Sequence, residues 1–400
     1  MTTVWVPCDA AARAVGADEV AEAFAAAGAT VRRNGSRGML WLEPLVEVET
    51  DAGRIGYAAV RPQYAGDILA GNHVDLGVVE DHPWLAGQHR VTFTRVGRHE
   101  PTDLAAYRSD GGYAGLERAL TLDPADVVAE VTTSGLRGRG GAGFPTGIKW
   151  ETVRTAASDL KFVCCNADEG DSGTFADRML LEGDPFSLLE GMTIAAYAVG
   201  ASEGYVYVRS EYPDAIATLR RAIDVARAGG WLGRHIAGRE GFTFDLHVRA
   251  GAGAYICGEE TSMLDSLEGK RGEVRAKPPI PALVGLFGQP TVVNNVLSLA
   301  TVPMILADGG QAYAALGTGR SRGTQVFQLA GNVKQGGIVE ADFGITLREL
   351  IEGYGGGTRS GRPLKAAQVG GPLGAYVAGD QLDLPMDYEA FAEAGAMVGH

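Results

Sequence analysis

The chain has 400 residues, of which 46% are hydrophobic, and its formal net charge is −14. A chain of this length is expected to fold as two or three domains, each able to bury its own core. The acidic balance argues against nucleic acid as a partner, because binding a phosphate backbone needs clustered Lys and Arg.

Other features of the composition bear on location. Residues 281–307 carry no charge but contain Pro281, Pro290 and Pro303, so we expect no membrane helix and no membrane insertion. The N-terminus shows no basic and apolar leader. The cysteines include no C-x-x-C pair, so we expect buried reduced thiols rather than a metal site, which suits a cytoplasmic protein. They are Cys8, Cys164, Cys165 and Cys257.

The first part of the chain predicts a small α/β domain over residues 1–95. An alanine-rich helix lies between two short strands, and a hairpin with its turn at Asp51-Ala52-Gly53 follows. The predicted elements are, in order, a strand at 3–7, a helix at 17–27, a strand at 30–33, and hairpin strands at 39–50 and 54–60.

Residues 96–320 alternate strands and helices and therefore predict an α/β domain. A linker with short helices over 98–120 comes first, and Asp123 and Pro124 then cap and open a helix. The remaining predicted elements are strands at 161–165, 204–209 and 242–248 and helices at 186–199 and 212–228. From 321 to 400 we expect a small α+β domain, with strands at 324–330 and 365–369 and a helix at 347–354 that ends at Gly355.

The stretch Gly135–Trp150 contains six glycines, two arginines and a lysine. Glycine lets a backbone approach a ligand closely, and successive N–H groups in a glycine turn bind anions. Pro145 indicates that a helix opens here, and its N-terminus adds a positive dipole end. The stretch therefore predicts a phosphate-binding turn with cationic support and one ring for stacking. The candidate residues are Gly138, Arg139, Gly140, Gly141, Gly143, Phe144 and Lys149.

A flexible glycine-rich loop is the alternative for this stretch. Gly138–Gly143 also satisfies G-x-G-x-x-G, but the dinucleotide fingerprint needs a strand before it. Residues 123–134 instead predict a helix with its valines on one apolar face. The turn is thus expected to join helix to helix, and an ordinary dinucleotide Rossmann site is disfavoured.

A group of polar residues follows the predicted strand at 161–165. Open α/β sheets bind ligands beyond the carboxyl ends of their strands. Acids at such a place can coordinate a metal, accept hydrogen bonds or tune a cofactor electrostatically. A solvated acidic loop is the alternative. The residues are Asn166, Asp168, Glu169 and Asp171.

Three more motifs are ambiguous one by one. Gly251–Thr261 offers glycines for close approach, a ring at Tyr255, and acids that equally suit the start of a helix. Glu268–Gly272, followed by Lys277, offers cations for a ligand or is only a basic surface turn. The paired amides Asn294-Asn295 can read the edge of a heterocycle or cap a helix. The first of these motifs adds the candidates Gly258, Glu259 and Glu260.

Together these motifs supply phosphate turns, acids, amides and rings, a combination that suits a flavin with a nicotinamide dinucleotide laid over it. Over about residues 105–400 the chain resembles the FMN- and NADH-binding subunit of respiratory complex I. The same module occurs in diaphorase subunits of NAD-reducing hydrogenases and in beta subunits of NAD-dependent molybdenum or tungsten formate dehydrogenases. The resemblance is carried by Gly135–Trp150, Asn166–Arg178, Gly251–Thr261, Glu268–Pro281 and Thr291–Val296.

The resemblance implies an α/β protein of three domains. These are a thioredoxin-like domain over 1–95, a Rossmann-like FMN- and NADH-binding α/β domain over 96–320, and a small β-grasp-like domain over 321–400 that includes the start of a truncated helical region. The first domain resembles a 2Fe–2S ferredoxin, but Gly35–Leu40 lacks the later cysteine pair, so we expect a docking surface without the cluster. A 4Fe–4S cluster is also expected of the family, although its ligands are not in this chain.

The resemblance also implies roles for the candidate residues. FMN would lie over Gly138–Gly143, and its phosphate and ring would be surrounded by Lys149, Asn166, Asp168, Glu169, Gly258, Glu259, Asn294 and Asn295. NADH would stack on the flavin near Phe144, Asp171, Tyr255, Glu260 and Lys277. Glu169 and Glu260 would be catalytic in that they tune the flavin's electronic properties, together with Asp171. Thr152 and Ile280 stand where the family often has phenylalanines that sandwich the adenine.

The implied activity is that of a diaphorase, which exchanges hydride with NAD(H) and single electrons with iron–sulfur partners. Asp171-Ser172-Gly173 replaces the Glu-Pro-Gly usual in complex I, and with the N-terminal extension it favours the beta subunit of formate dehydrogenase. The implied partners are then a molybdenum or tungsten catalytic subunit and a small iron–sulfur subunit. A diaphorase subunit of an NAD-reducing hydrogenase or of complex I is the alternative.

Overall fold

A computed structural model describes residues 2–399. The first elements are the strands β1 (Thr3–Pro7), β2 (Thr30–Asn34), β3 (Val46–Thr50) and β4 (Gly53–Tyr57) and the helices α1 (Ala10–Arg13), α2 (Ala17–Ala26), α3 (Ala65–Leu69) and α4 (Pro83–Ala86). The strands form one sheet in the order β2–β1–β3–β4. β1 and β2 are parallel, whereas β3 pairs antiparallel with both β1 and β4.

Alternating side chains place this sheet against its helix. Val4 and Val6 of β1 point to the same face, where they are fully buried in one cluster with Phe24 of α2. Trp5 points to the opposite face, where the centroid of its ring lies 3.7 Å from the Arg54 guanidinium carbon. A parallel pair joined by a helix and followed by an antiparallel hairpin agrees with the predicted thioredoxin-like fold.

The predicted hairpin is correct at its turn but wrong at its start. The strand expected from Met39 begins only at Val46, and Leu40–Leu42 form a turn of 3-10 helix. Tertiary packing is the reason, because Met39 is buried among side chains from the C-terminal part of the protein. In addition, the Gly38 carbonyl accepts a hydrogen bond from the Ile338 N–H group (3.0 Å). This segment therefore pairs with a distant part of the chain instead of extending β3.

The centre of the molecule is a five-stranded sheet. Its strands are β5 (Phe162–Ala167), β6 (Glu203–Val208), β7 (Gly233–Arg234), β8 (Thr243–Ala250) and β9 (Thr291–Asn295). They lie in the order β7–β8–β6–β5–β9 and are parallel except for β7. The strands predicted at 161–165, 204–209 and 242–248 are confirmed as β5, β6 and β8, and with them the Rossmann-like α/β architecture.

Helices pack around this sheet. They are α5 (Leu104–Ser109), α6 (Ala114–Ala119), α7 (Pro124–Thr133), α8 (Thr146–Thr155), α9 (Ala176–Gly183), α10 (Pro185–Val199), α11 (Pro213–Ala228), α12 (Glu260–Leu267), α13 (Val296–Asp308) and α14 (Gly310–Ala314). The helices predicted at 186–199 and 212–228 are confirmed as α10 and α11. Asp123 precedes α7 as predicted, but its side chain makes no capping hydrogen bond.

The helices α10 and α13 lie in the core and are mostly apolar, although α10 also contains the buried Glu190. Every residue of α10 is buried. Glycine lets the helices touch, since a Cβ on Gly191 of α10 would lie 2.0 Å from the Leu299 carbonyl oxygen, and one on Gly115 of α6 would lie 2.3 Å from that of Pro303. Among residues 2–399 no helix is both long and apolar enough to cross a membrane.

The last part of the chain forms short antiparallel pairs beside the central sheet. Its elements are β10 (Gly317–Thr318), β11 (Ser321–Arg322), β12 (Thr324–Leu329), β13 (Gly337–Asp342), a π-helical segment (Glu349–Tyr354), β14 (Ala366–Val369), β15 (Ala375–Ala378) and α15 (Tyr388–Glu393). β12 pairs with β13 and β14 with β15. The predicted strands at 324–330 and 365–369 are β12 and β14, and the predicted helix at 347–354 is confirmed, although its part from Glu349 to Tyr354 is π-helical.

Buried acidic side chains lie where the N-terminal sheet meets α9. Asp9 and Glu182 are only 2% and 3% exposed, and the Ala10 N–H group donates to the Glu182 carboxylate (2.8 Å). Burial raises the pKa of Glu182 to about 7. Burial and the neighbouring charge of Asp9 raise the pKa of Glu43 to about 8. These carboxyl groups therefore hold protons that exposed carboxylates would have lost.

We expect the folded protein to lose stability as the pH rises from about 5 to about 8. In this range the folded chain keeps protons on Glu43 and Glu182 that the unfolded chain has released, so rising pH favours the unfolded state. Each such proton changes the free energy of unfolding by about 1.4 kcal/mol per pH unit. Urea unfolding across this range should show a flatter pH dependence for Glu43→Gln than for the exposed control Glu22→Gln. Equal slopes would contradict the prediction.

Candidate functional site

Two adjoining cavities open where β5 and β9 end, the place at which open parallel sheets bind ligands. The larger has a volume of about 490 Å³ and lies between the glycine turn and the start of α12. The smaller, of about 280 Å³, reaches the acidic loop that follows β5. Both are lined by Gly140, Asn166, Gly258, Glu259 and Asn295.

The glycine turn joins α7 to α8, as the sequence predicted. Two hydrogen bonds close it, from the Gly138 N–H group to the Phe144 carbonyl (2.8 Å) and from the Thr146 N–H group to the Leu136 carbonyl (2.9 Å). Within residues 2–399, no backbone N–H group from Gly140 to Phe144 donates a hydrogen bond. A row of unpaired N–H groups at the edge of a cavity is an anion-binding feature.

Geometry explains three of the glycines in this turn. Gly141 (φ +90°) and Gly143 (φ +59°) adopt left-handed backbone conformations that other residues avoid. Gly140 instead leaves space, because a Cβ there would lie 3.2 Å from the Cβ of Asn295. The turn thus needs glycine for its shape at two positions and for its closeness to the cavity at a third.

Lys149 of α8 places an ammonium group at the larger cavity. Its Nζ donates to the Val293 carbonyl (2.7 Å) and lies 3.5 Å from a carboxylate oxygen of Glu260. Burial lowers the pKa of Lys149, and the nearby Glu260 charge opposes that decrease. Since an ammonium group has three donors, one is available to a ligand in the cavity.

The amides of Asn294 and Asn295 are held in different ways. The Oδ1 of Asn294 accepts a hydrogen bond from the Trp150 ring nitrogen (3.0 Å), which leaves its NH₂ group for the cavity. Asn295 caps α13 by accepting from the Leu297 N–H group (2.8 Å), and it donates to the Asp177 carboxyl (2.7 Å). The helix-cap interpretation therefore holds for Asn295, although its side chain also lines both cavities.

Glu169 lies at the N-terminal end of α9. Its carboxylate accepts from the N–H groups of Asp177 (3.0 Å) and Arg178 (3.2 Å) and from the Tyr212 hydroxyl (3.0 Å). Asp177 is 3% exposed and lines the smaller cavity, and burial, with the Glu169 charge, raises its pKa. Asp177 was not among the site residues predicted from the sequence. An acid in the first turn of the helix directly after the acidic loop is the signal that could have found it.

The acidic loop also positions a ring at the rim of the smaller cavity. The hydroxyl of Tyr255 donates to the Asp171 carboxylate (2.6 Å), and the ring remains 61% exposed. A Cβ on Gly170 would lie 2.9 Å from this ring. Burial raises the pKa of Asp168, on the same loop, to about 6. The loop is therefore not simply solvated, because its side chains face the cavity and each other.

Charged side chains meet at the mouth of the larger cavity. Glu259 caps α12 by accepting from the N–H groups of Thr261 (2.8 Å) and Ser262 (2.9 Å). The Nζ of Lys277 lies 3.0 Å from Glu259 and 2.7 Å from Glu260. The two acids thus serve the helix start, as one interpretation held, and also fix a cation at the cavity.

Arg139 and Gly141 were predicted to bind the cofactor, but neither lines a cavity. Arg139 is 3% exposed, and its guanidinium donates to the Tyr313 hydroxyl and the Arg322 carbonyl, both at 2.9 Å. Its own N–H group donates to Ser298 (2.8 Å). A buried guanidinium must satisfy its donors, so Arg139 supports the turn from behind. Every other predicted residue lines at least one of the cavities.

One wall of the larger cavity is apolar. Thr152 and Ile280 belong to it, with Pro281 and Ala282 beside them. The sequence analysis did not find Pro281 or Ala282, because small apolar residues give no chemical signal. Ile280 is 42% exposed, which leaves its side chain available to a ligand.

Comparison with known proteins identifies relatives of this site. Residues 131–304 match the family described as the Nuo51 FMN-binding domain. The chain is 48% identical over 312 residues to the NADP-reducing hydrogenase subunit HndC of Solidesulfovibrio fructosivorans, a match that covers 78% of this chain and 63% of HndC. The chain thus spans less than two thirds of that relative.

Other relatives are covered more fully. The F 2 subunit of NADH-quinone oxidoreductase from Rhizobium meliloti (strain 1021) is 48% identical over 74% of this chain and 70% of its own length. The F subunit of NADH-quinone oxidoreductase from Escherichia coli (strain K12) is 45% identical over 78% and 70%. Among solved structures, an NAD+-reducing NiFe-hydrogenase in the air-oxidized state is similar with a TM-score of 0.63 and 30% identity, over 100% of this chain and 67% of that one.

The residues at the cavities fit FMN. Its phosphate needs donors and positive charge, which the unpaired N–H groups of the turn and Lys149 supply. The polar edge of its ring needs fixed donors, and the NH₂ group of Asn294 is one. The predicted cofactors FMN and NAD are confirmed at the level of the family that these matches define.

We expect Gly140→Ala to lower the FMN content of the purified protein. The new methyl group would lie 3.2 Å from Asn295, whose side chain is fixed on two sides, so the turn must shift away from the cavity. Overpacking of this kind costs about 1–3 kcal/mol, or roughly 5- to 150-fold in affinity. Flavin absorbance per chain measures the effect. Gly66→Ala is the control, because its methyl group meets nothing within 4 Å. Equal flavin content in the two variants would contradict the prediction.

Proposed function

Because this chain belongs to the family of NADH-quinone oxidoreductase F subunits, which share the Nuo51 FMN-binding domain, we propose that it is an FMN-containing diaphorase subunit that exchanges hydride with NAD(H). The observation that carries the proposal is the larger cavity, where unpaired turn N–H groups and Lys149 supply what a phosphate requires. Single electrons would then pass to iron–sulfur groups in partner subunits.

The chain's residues would hold the flavin in place and leave one of its faces open. Bound FMN supplies a hydride acceptor and one-electron donor that no side chain can provide. The turn and Lys149 would hold the phosphate end, and Asn166 and Asn294 would lie beside the ring. Walls that align two reactants can lower a reaction barrier by about 7–11 kcal/mol. The hydride would pass directly between the two reactants, so this step requires no acid or base from the protein.

The nucleotide would enter between exposed rings at the rim of the cavities. Phe144 is 48% exposed and Tyr255 61% exposed, so each offers an apolar face to a nicotinamide nucleotide. Lys277 lies at the same mouth, paired with Glu260, and we propose that these two side chains contact the nucleotide. Glu169 and Glu260 would act on the flavin through their charge, not by transferring a proton.

The next point is which multi-subunit enzyme contains this chain. We propose the beta subunit of an NAD-dependent formate dehydrogenase, with a molybdenum or tungsten catalytic subunit and a small iron–sulfur subunit as partners, in the cytoplasm. Asp171-Ser172-Gly173 and the N-terminal extension support this choice. The names of the relatives equally support a hydrogenase or complex I diaphorase. Mass spectrometry of the co-purifying large subunit, with analysis of its metal, distinguishes these assemblies.

We expect excess NADH, added without oxygen, to bleach the blue absorbance band of the purified protein. Reduction of bound flavin removes that band, and NAD⁺ added in the same way serves as the control because it carries no hydride. An unchanged oxidised spectrum in a protein that contains FMN would contradict hydride exchange. A protein that cannot be loaded with FMN would contradict the proposed cofactor.

Ile280→Phe should tighten the binding of NADH. An aromatic side chain in the apolar wall can stack on the adenine, where the aliphatic Ile280 cannot. Aromatic pairs contribute about 0.5–1.5 kcal/mol beyond area burial, so we expect the KM for NADH to fall roughly 2- to 10-fold. Val284→Phe is the control, because Val284 is similarly exposed but lies outside both cavities. If Ile280→Phe and Val284→Phe have the same KM for NADH, the result would count against adenine binding at this wall.

A further inference from the structure

The outer side of the glycine turn contacts α15. The Tyr388 hydroxyl donates to the Gly138 carbonyl (3.2 Å), and the Nε of Arg137 donates to the Gly143 carbonyl (2.6 Å). The Arg137 guanidinium also lies 4.5 Å from the centroid of the Tyr388 ring and 2.7 Å from the Glu389 carboxylate. Arg137, Tyr388 and Glu389 thus form one connected group, named here the brace.

The brace acts on the carbonyl groups of the turn. An anion is attracted by N–H groups and repelled by carbonyl oxygens, so an anion-binding turn needs its carbonyls directed elsewhere. The brace binds two of these carbonyls, at Gly138 and Gly143, while the N–H groups from Gly140 to Phe144 stay unpaired within residues 2–399. A glycine-rich segment would not keep this arrangement unaided, because glycine has the most backbone freedom to lose.

The brace is in turn fixed to the rest of the fold. Asp387, which caps α15, accepts a hydrogen bond from the Ser321 hydroxyl (2.5 Å). Arg320 lies 3.7 Å from Glu389. Arg137 and Glu389 are 15% and 36% exposed, so their ion pair is partly protected from solvent. None of the three brace residues lines either of the two cavities.

We propose that the brace positions the glycine turn for the phosphate of FMN, so that FMN affinity depends on the docking of α15. Arg137, Tyr388 and Glu389 are positioning residues, since they act on the turn from the side away from the cavity. The inference rests on the proposed function, because the proposed function assigns the phosphate to this turn. The inference adds α15, which lies far from the turn in sequence, to the parts of the chain that support FMN binding.

The test is a fluorescence titration of the flavin-free full chain with FMN and with riboflavin, which lacks the phosphate. We expect Tyr388→Phe and Glu389→Gln each to weaken FMN binding about two- to tenfold, because each removes one partly buried polar contact. Riboflavin affinity should change less, because the brace acts on the phosphate end. Glu393→Gln is the control, since Glu393 is exposed on the same helix and its side chain makes no hydrogen bond or ion pair within residues 2–399.

Two outcomes would overturn the proposal for the brace. One is FMN binding by both variants that equals that of Glu393→Gln. The other is an equal loss of FMN and riboflavin affinity, which would indicate general damage to the fold. A wild-type chain that binds neither flavin would instead overturn the proposed function, and the brace proposal with it.

Discussion

The orientation of the peptide groups between Gly138 and Phe144 is the constraint on which the rest of the site depends. The five N–H groups from Gly140 to Phe144 make no hydrogen bond in the described chain, and all of these residues except Gly141 line the larger cavity, an arrangement that a flexible segment would not hold. Hydrogen bonds close the turn at its base, Arg139 supports it from behind, and Arg137 and Tyr388 bind its carbonyls. The shape of the turn is thus imposed from several directions by parts of the fold that do not touch the cavity.

The charges around the cavities differ from the negative net charge of the whole chain, because cations and hydrogen-bond donors offset the acids there. A protein with a net charge of −14 would repel a phosphate from most of its surface. Here most of the nearby acids have donors of their own: Glu259 accepts from the start of α12, and Glu169 accepts from the start of α9. Lys149 and Lys277 then offset the acids at the larger cavity. The phosphate binding that we propose for this site would therefore depend on local pairing and not on net charge.

Much of the fold followed from the amino-acid pattern. Alternating strands and helices predicted the central sheet, and the helix before Gly135 correctly predicted that the turn joins two helices. The errors fall where a distant segment overrides a local preference. Residues 39–45 looked like a strand, but Met39 and Leu45 are buried in one cluster with side chains of the C-terminal part of the protein, such as Val339.

The residues of the candidate site likewise divide into those that the sequence predicted and those that only the fold brings together. Residue chemistry alone selected the side chains of Lys149, Asn294 and the acidic loop, because cations, amides and acids beside a glycine turn are groups that can bind a ligand. Which of them share a cavity depends on the parallel pairing of β5 with β9, which brings Asn166 beside Asn295. Asp177 and the apolar wall were missed, since burial and not residue type gives them their place.

The sequence by itself determined the fold class, the glycine turn and most of the residues at its cavity, because periodicity and residue chemistry are local properties. Only the tertiary structure decided the direction of each side chain. It turned Arg139 away from the cavity, since a buried guanidinium follows its hydrogen-bond acceptors and not its neighbours in the chain. It also placed Tyr388 and Glu389 against the turn, a contact between distant segments that no pattern along the sequence records.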